Sequence, residues 1–227
     1  FLLRFFSAQI RLIFQYIFSI PKHDIIIVGY IGHLDMYLAK IIALFGRKKL
    51  VFNPLISLYD TVISDRGYFI KSSHRARFMH FLDWSACKMS DMVLLDTESH
   101  IQYFKNEFDL PNINFQRLFV GADNQVFYPK HKVQSEDKFD VMFIGKFIPL
   151  HGIAKIIEAA NILRSEIDIQ FTLVGMGQLR YEIENRINEL GIENIKLVDW
   201  IPYNQLSLKM AEADLMLGIF GDSDKAK

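Results

Sequence analysis

The stretch Val141–Leu179, VMFIGKFIPLHGIAKIIEAANILRSEIDIQFTLVGMGQL, holds the pattern that decides the fold. Val141 to Ile144 is a short continuous apolar run that stops at Gly145. Ile153, Ile156, Ile157, Ala160 and Leu163 then recur at helical spacing, and Ile169 to Val174 is a second apolar run closed by Gly175-Met176-Gly177. Strands apolar on both faces, joined by an amphipathic helix, make a βαβ unit in a parallel sheet with a right-handed crossover.

The alternation continues on both sides. Downstream, Leu179, Ile183, Ile187 and Leu190 mark a helix that Gly191 ends. Ile195 to Val198 reads as a strand, Leu206, Met210 and Ala213 as a helix face, and Leu215 to Ile219 as a last strand. Upstream, Asp24 to Tyr30, Leu50 to Phe52, Met92 to Leu95 and Phe115 to Val120 have strand length. Between them lie helical stretches Leu34 to Phe45 (ended by Gly46), Ser73 to Lys88 (capped by Ser72 or Ser73) and Ile101 to Phe108. Residues 130–138, KHKVQSEDK, contain one apolar residue, Val133, and read as a linker. The fold expected is therefore α/β, with two Rossmann-like parallel-sheet domains at 1–129 and 139–227. The chain opens on Phe1 and stops at Lys227 just after an apolar run, so both domains are expected to be incomplete.

The opening run FLLRFFSAQIRLIFQYIFSI is interrupted by Arg4, Ser7, Arg11 and Gln15, which form one helical stripe. Two Arg in such a run argue against a membrane-spanning helix. Two readings stand: a helix buried on three sides against a sheet, or an amphipathic helix in peripheral contact with an anionic membrane. Charges inside the apolar stretch also argue against a cleavable signal peptide.

Composition narrows the function classes. Of 227 residues, 51% are hydrophobic and 23% charged, which excludes a disordered chain. With 26 basic and 26 acidic residues, whole-chain charge points to no nucleic-acid partner. The halves differ mildly: residues 1–129 carry 14 Lys and Arg against 11 Asp and Glu, so the first half permits an anionic surface or substrate nearby. Cys87 is the single cysteine; it excludes an internal disulfide and a cysteine-cage zinc site, and fits a reducing, cytoplasmic compartment.

Ligands of open parallel sheets bind outside the carboxyl ends of the strands, so the loops that follow strands hold the candidates. Gly145-Lys146-Phe147-Ile148-Pro149-Leu150-His151-Gly152 lies between a strand and a helix. Gly145 lets a ligand approach the backbone, Lys146 and His151 add cationic or donor groups, and the helix start presents unpaired N–H groups suited to phosphate. An ordinary βα turn with a solvated Lys fits the same residues. Gly175-Met176-Gly177 lacks the third glycine and the acidic partner of a dinucleotide fingerprint, and reads as a tight turn. Asp199-Trp200-Ile201 follows the next strand, where Trp200 either meets a flat base or packs inside. Asp222-Ser223-Asp224 is weak evidence for a metal and reads as a solvated loop, so no metal site is expected. In the first half, His33 after Gly32 and Asp60 after an apolar run are candidates to face a substrate, whereas His74, His80 and His100 read as helix-surface residues. No Gly-x-Ser-x-Gly elbow, Walker loop or catalytic-cysteine pattern occurs.

Taken in order, four segments resemble one family. Val141–Leu179 is similar to the donor domain of retaining glycosyltransferases of the family-4 type, which have the two-domain GT-B fold. Gly121–Pro129, GADNQVFYP, resembles the Gly-x-Asp-x-x-x-Phe-x-Pro signature at the end of the family's first domain. Leu197–Phe220 resembles the nucleotide-proximal strand, helix and strand, and Met92–Phe104 the strand and helix near the end of the acceptor domain. The resemblance implies a nucleotide-sugar donor (UDP- or GDP-linked), a glycan, lipid-linked or small-molecule acceptor, retention of configuration, and neither cofactor nor metal. The acceptor hydroxyl would attack across an interdomain cleft.

By position, the resemblance places Lys146, His151, Trp200, Ile201 and Gly221 at the donor nucleotide, beside Gly145 and Gly175 of the loops; it does not say which first-domain residue faces the anomeric carbon, and Asp60 and His33 remain the catalytic candidates from their own positions. The family usually has Arg at the position of Lys146 and Lys at that of His151. Its Glu-x7-Glu pair is expected beyond Lys227, and its first glycine-rich loop upstream, so the fragment itself is expected not to turn over. Alternatives are a non-catalytic GT-B-like scaffold, suggested by the two replacements, and a nucleotide-sugar epimerase of the same fold.

Overall fold

The protein is described here from a computed structural model covering residues 2–128, 138–166 and 168–222. Its contacts divide into two compact units, 1–120 and 121–227. Of the linker at 130–138, only Lys138 lies within the described residues; Pro129, Ser223 and Asp224 also lie outside them.

The first unit opens with α1 (Leu2–Phe18) and then alternates β1 (Ile25–Val28), α2 (Asp35–Gly46), β2 (Lys49–Phe52), α3 (His74–Met89), β3 (Met92–Leu95), α4 (Glu98–Glu107) and β4 (Phe115–Arg117). Its four strands are parallel in the order β1-β2-β3-β4, with Ile26 opposite Leu50 and Val93 opposite Phe115. Met36, Leu50, Phe52, Val93, Phe104, Phe108 and Leu110 form the core, and their burial is what holds this layer together.

The second unit contains β5 (Phe139–Ile144), α5 (Ile153–Ile162), β6 (Ile169–Val174), α6 (Arg180–Leu190), β7 (Ile195–Val198), α7 (Tyr203–Glu212) and β8 (Leu215–Met216). Its sheet is also parallel, in the order β7-β6-β5-β8. The chain therefore moves one way from β5 to β6 and β7, then returns to the other edge of β5. That reversal creates a topological switch point at the carboxyl ends of β5 and β8, the place where such sheets open a crevice. Val141, Phe143, Phe147, Ile153, Ile157, Phe171 and Leu173 make a separate core.

Local chemistry sets most boundaries. Ser73, rather than Ser72, caps α3: its Oγ accepts from the Ala76 N–H at 3.2 Å. Helix α4 starts at Glu98, three residues before the first periodic apolar residue, because Thr97 Oγ1 accepts from the His100 N–H at 3.2 Å. Gly191 (φ 59°) ends α6 as its position suggests, but α2 runs through Gly46 and Arg47 (φ 52°) takes the left-handed position instead. Strands β4 and β8 are shorter than their apolar runs. After Arg117 the chain makes one more ladder bond, Leu118 N–H to the Leu95 carbonyl at 2.7 Å, and leaves the sheet. After Met216 it does the same through Leu217 to Met142 at 2.8 Å.

Two features depart from the sequence reading. Helix α1 is not buried on three sides: among its described side chains only Gln9 and Tyr16 are even half-buried. Asp60–Asp65 forms a π-helical turn where no element was expected. No described helix is long and apolar enough to cross a membrane.

Candidate nucleotide site

The second unit gathers its candidate residues where strands β5, β6 and β7 end. The three loops are zipped by main-chain bonds that prolong the ladder: Gly145 N–H to the Val174 carbonyl (3.0 Å), Phe147 N–H to Met176 (3.0 Å) and Gly175 N–H to Val198 (2.8 Å). Close approach explains the glycines. A Cβ on Gly175 (φ 154°) would lie 1.8 Å from the Gly145 oxygen, and one on Gly221 would lie 2.2 Å from the Leu150 oxygen. Gly175 therefore serves loop packing first, and a bare backbone face beside a ligand second.

Between these loops lies a hollow of about 320 Å³, lined by Gly145, Lys146, Gly175, Met176, Asp199, Trp200 and Ile201, with Tyr203 and Leu206 from α7 behind. Six of these nine residues are apolar or glycine, and two carry opposite charges. Trp200 does not pack inside: 78% of it is exposed, so the indole is free to stack on a planar group. Lys146 is exposed, which leaves its ammonium able to reach an anion.

His151 and Gly221 do not line this hollow; His151 sits beside it, behind Gly145 and Lys146. Its Nδ1 is 2.5 Å from the Lys146 carbonyl oxygen, and its ring rests against Gly145 and, edge-on, the Phe143 ring (centroids 5.5 Å apart). Nδ1 thus donates to the carbonyl, so neutral His151 leaves Nε2 as an acceptor; only the imidazolium offers Nε2 a proton to give to phosphate. The chain after β8 closes the other side: Phe220 N–H reaches the His151 carbonyl at 3.2 Å and Gly221 N–H the Leu150 carbonyl at 3.1 Å. This is the switch point. Helix α5 starts there from Gly152 (φ 61°) with no side-chain cap, so the positive end of its dipole lies at this switch point.

One residue that the sequence did not single out organises this mouth. Arg180, the first residue of α6, sits at a helix start, where a cation is unfavourable. Three acceptors offset that: Gly175 O at 3.0 Å, Glu184 Oε1 at 2.6 Å and Asp199 Oδ1 at 2.7 Å. Its guanidinium also lies over the Phe147 ring, 5.5 Å from the centroid. Arg180 thereby ties the β6 loop to the β7 loop and turns Asp199 into a held, neutralised wall. Only the misplaced sign at a helix start could have flagged it.

The signature Gly121–Tyr128 falls in the second unit. Asp123 Oδ1 accepts from the Gln125 N–H at 2.9 Å to fold a turn, and the Phe127 ring meets Tyr203 edge-on at 5.7 Å. Asp222 pairs with Lys155 at 3.0 Å, and no three metal-ligating side chains cluster among the described residues.

In the first unit, His33 and Asp60 are inside rather than at an open mouth, 1% and 3% exposed. They are joined by a residue the sequence reading passed over. Asp83 of α3, fully buried, accepts four hydrogen bonds: from His33 Nε2 (2.8 Å), Ser57 Oγ (3.0 Å), Leu58 N–H (3.1 Å) and Tyr59 N–H (2.8 Å). Ser57 Oγ in turn accepts from the Asp60 N–H at 2.9 Å. The Asp83 carboxylate thus pins the loop after β1 to the start of the π-helical turn after β2. His33 Nδ1 is buried without a partner. Burial, with Asp60 next in weight, pushes the Tyr103 hydroxyl well above its ordinary range; burial, with Asp83 next, does the same to the Cys87 thiol. Of the other histidines, His74 is exposed, His80 meets Tyr59 edge-on and Phe108 at a tilt, and His100 bonds Asp96 at 2.8 Å.

Residues 125–217 match the family model described as glycosyl transferases group 1. No curated protein matches the sequence. Solved structures with a similar fold include the pneumococcal O-GlcNAc transferase GtfA in complex with UDP and GlcNAc (13% identity, TM-score 0.62, covering 91% of this chain and 39% of that one). WaaG, a glycosyltransferase involved in lipopolysaccharide biosynthesis, aligns at 17% identity and TM-score 0.61 over 88% of this chain and 63% of its own. Anabaena Alr3699/HepE in complex with UDP aligns at 16% identity and TM-score 0.61 over 86% and 52%. At these identities the likeness is one of fold: α/β with two parallel sheets, as in the GT-B glycosyltransferases. The chain spans between 39% and 63% of the length of these three solved chains.

Proposed function

We propose that this chain is the nucleotide-binding part of a glycosyltransferase that moves a sugar from a nucleoside-diphosphate donor to an acceptor hydroxyl, with retention and without a metal ion. The observation that carries it is the hollow at the ends of β5, β6 and β7, with an ammonium, a free indole and bare glycine backbone around one space. The group 1 glycosyltransferase match over the same residues supports it. So do fold relatives crystallised with UDP.

In this reading Trp200 and Ile201 meet the base, and the diphosphate lies toward Lys146, His151 and Gly221. As the sugar leaves, charge grows on the diphosphate. Lys146 and the N-terminal end of α5, with its helix dipole, are preorganised to stabilise it, in place of a cation. Lys keeps the charge of an Arg without its two-pronged fork, and His151 adds a donor only when protonated. The donor is a UDP- or GDP-hexose. The acceptor is a glycan, lipid-linked or small-molecule hydroxyl, met in the cytoplasm. Asp60 and His33, the catalytic candidates of the sequence, are buried in the other unit, where His33 bonds Asp83 and the Asp60 N–H bonds Ser57, so as catalytic groups they would first have to be exposed.

Calorimetric titration of UDP tests the assignment. Lys146→Ala should weaken binding by about 1.5–3 kcal/mol, the loss of one charge-assisted hydrogen bond. Unchanged affinity would remove the diphosphate from this mouth. The Lys146 and His151 replacements also favour a second reading, a binding scaffold without turnover. In the full-length protein such a scaffold binds UDP but releases no free sugar from a labelled UDP-sugar, while an epimerase returns the label as an altered UDP-sugar.

A further inference from the structure

The candidate nucleotide hollow has two charged residues on its wall, Lys146 and Asp199, of opposite sign. Much of the main chain around them is already engaged. The Gly145, Phe147 and Gly175 N–H groups and the Gly175, Met176 and Lys146 carbonyls all have partners within the protein. Side chains are thus placed to tell one ligand from another. Asp199 as a carboxylate accepts and cannot donate. Its Oδ1 pairs with Arg180 Nη2 at 2.7 Å, and Arg180 is fixed in turn by Glu184 Oε1 and the Gly175 carbonyl. The Asp199 side chain is nevertheless 67% exposed, so Oδ2 stays open to a donor from a ligand. Its chain neighbour Trp200 presents a free indole to the same hollow.

We infer that the Arg180–Asp199 pair reads the base of the bound nucleotide and selects uracil. This rests on the donor-nucleotide reading of the hollow and names its base. A diphosphate is drawn to the Lys146 ammonium and repelled by the Asp199 carboxylate, so the base is the part of the ligand that turns toward Asp199. Stacking on Trp200 holds any base, because every base has a flat face. The carboxylate discriminates. Uracil (N3) and guanine (N1) present a ring N–H that a carboxylate accepts. Cytosine and adenine carry a lone pair on the corresponding ring nitrogen, which a carboxylate repels. Guanine fits a free carboxylate through two prongs, its N1–H and its 2-amino group, one to each oxygen. Arg180 already engages Oδ1, so the site offers a single contact at Oδ2, and that is the contact uracil makes.

The test is calorimetric titration with UDP, GDP, CDP and ADP at one salt concentration. UDP should bind the parent about tenfold more tightly than CDP or ADP, the effect of one solvent-exposed hydrogen bond to a charged group. It should also bind several-fold more tightly than GDP. D199N, whose amide both donates and accepts, should weaken UDP about tenfold and bring UDP and CDP toward parity. R180M frees Oδ1 for a second prong and should lower the preference for UDP over GDP several-fold. K146A should weaken all four nucleotides alike, because they share the diphosphate. Three results would overturn the inference and leave the nucleotide site standing: a parent that binds UDP through Lys146 but holds all four bases equally, a parent that prefers GDP, or a D199N variant that weakens every nucleotide by the same factor. The last is what a purely structural role for Asp199 predicts. Absence of binding by any of the four would end the nucleotide reading, and this inference with it.

Discussion

The two units solve the same problem with different chemistry. Each must hold the loops that leave parallel strands at their carboxyl ends. The second unit does so with backbone against backbone: Gly145, Gly175 and Gly221 let three chain segments touch, and Arg180 clips two of them from outside. The first unit does so with one buried carboxylate, Asp83, which collects two main-chain N–H groups, a hydroxyl and an imidazole. Glycine packing leaves an open hollow whose glycine N–H groups are already bonded to neighbouring carbonyls. A carboxylate clasp leaves a closed, polar interior. The first suits a ligand that arrives from solution; the second suits a rigid wall.

This contrast predicts where each unit breaks. Asp83→Ala leaves four buried donors without an acceptor, so the first unit should lose about 4 kcal/mol in urea unfolding. Hydrogen exchange should then rise around residues 57–61 and His33 while β5 and β6 stay protected. If protection falls equally in both units, the clasp is not local to the first. Gly175→Ala forces a Cβ into the Gly145 carbonyl and should cost the second unit about 3 kcal/mol, with UDP binding lost at the same time. A variant with parent stability would mean that the loops do not touch as described.

Arg180→Met should have a smaller effect, about 1.5 kcal/mol, because Asp199 and Glu184 are largely solvated and their pairs are screened. Its sharper readout is UDP affinity, which should fall several-fold as Asp199 faces the hollow unneutralised. A salt titration checks this, since the difference from the parent should shrink at high ionic strength. The smallest effect near neutrality is the pH dependence of the first unit. The Cys87 thiol and Tyr103 hydroxyl titrate higher in the folded chain than in the unfolded one. The unfolded chain therefore gives up protons first as pH rises. Stability is full below about pH 9 and declines above it, by up to about 1.4 kcal/mol per pH unit for each group. Cys87→Ser and Tyr103→Phe should each remove part of that alkaline slope.

Much of the second unit was readable because its signals are local. Gly145, Gly175 and Gly191 mark strand or helix ends within a few residues of the apolar runs they close. The hollow that joins Lys146 to Trp200 follows from adjacent loops of one sheet. The first unit was less readable. His33 and Asp83 are fifty residues apart, and an Asp inside an amphipathic helix looks like any solvated acid until α3 packs and turns it inward. Trp200 left two readings open because neither its type nor its spacing says whether α7 covers it.

The order of strands and helices, and the glycines that let loops meet, were determined by the sequence itself, since apolar periodicity and backbone freedom act over a few residues. Which polar groups became buried partners, and which apolar faces stayed bare, was decided only by the tertiary structure. Asp83 and Arg180 owe their roles to neighbours distant along the chain, and burial depends on all of those neighbours together.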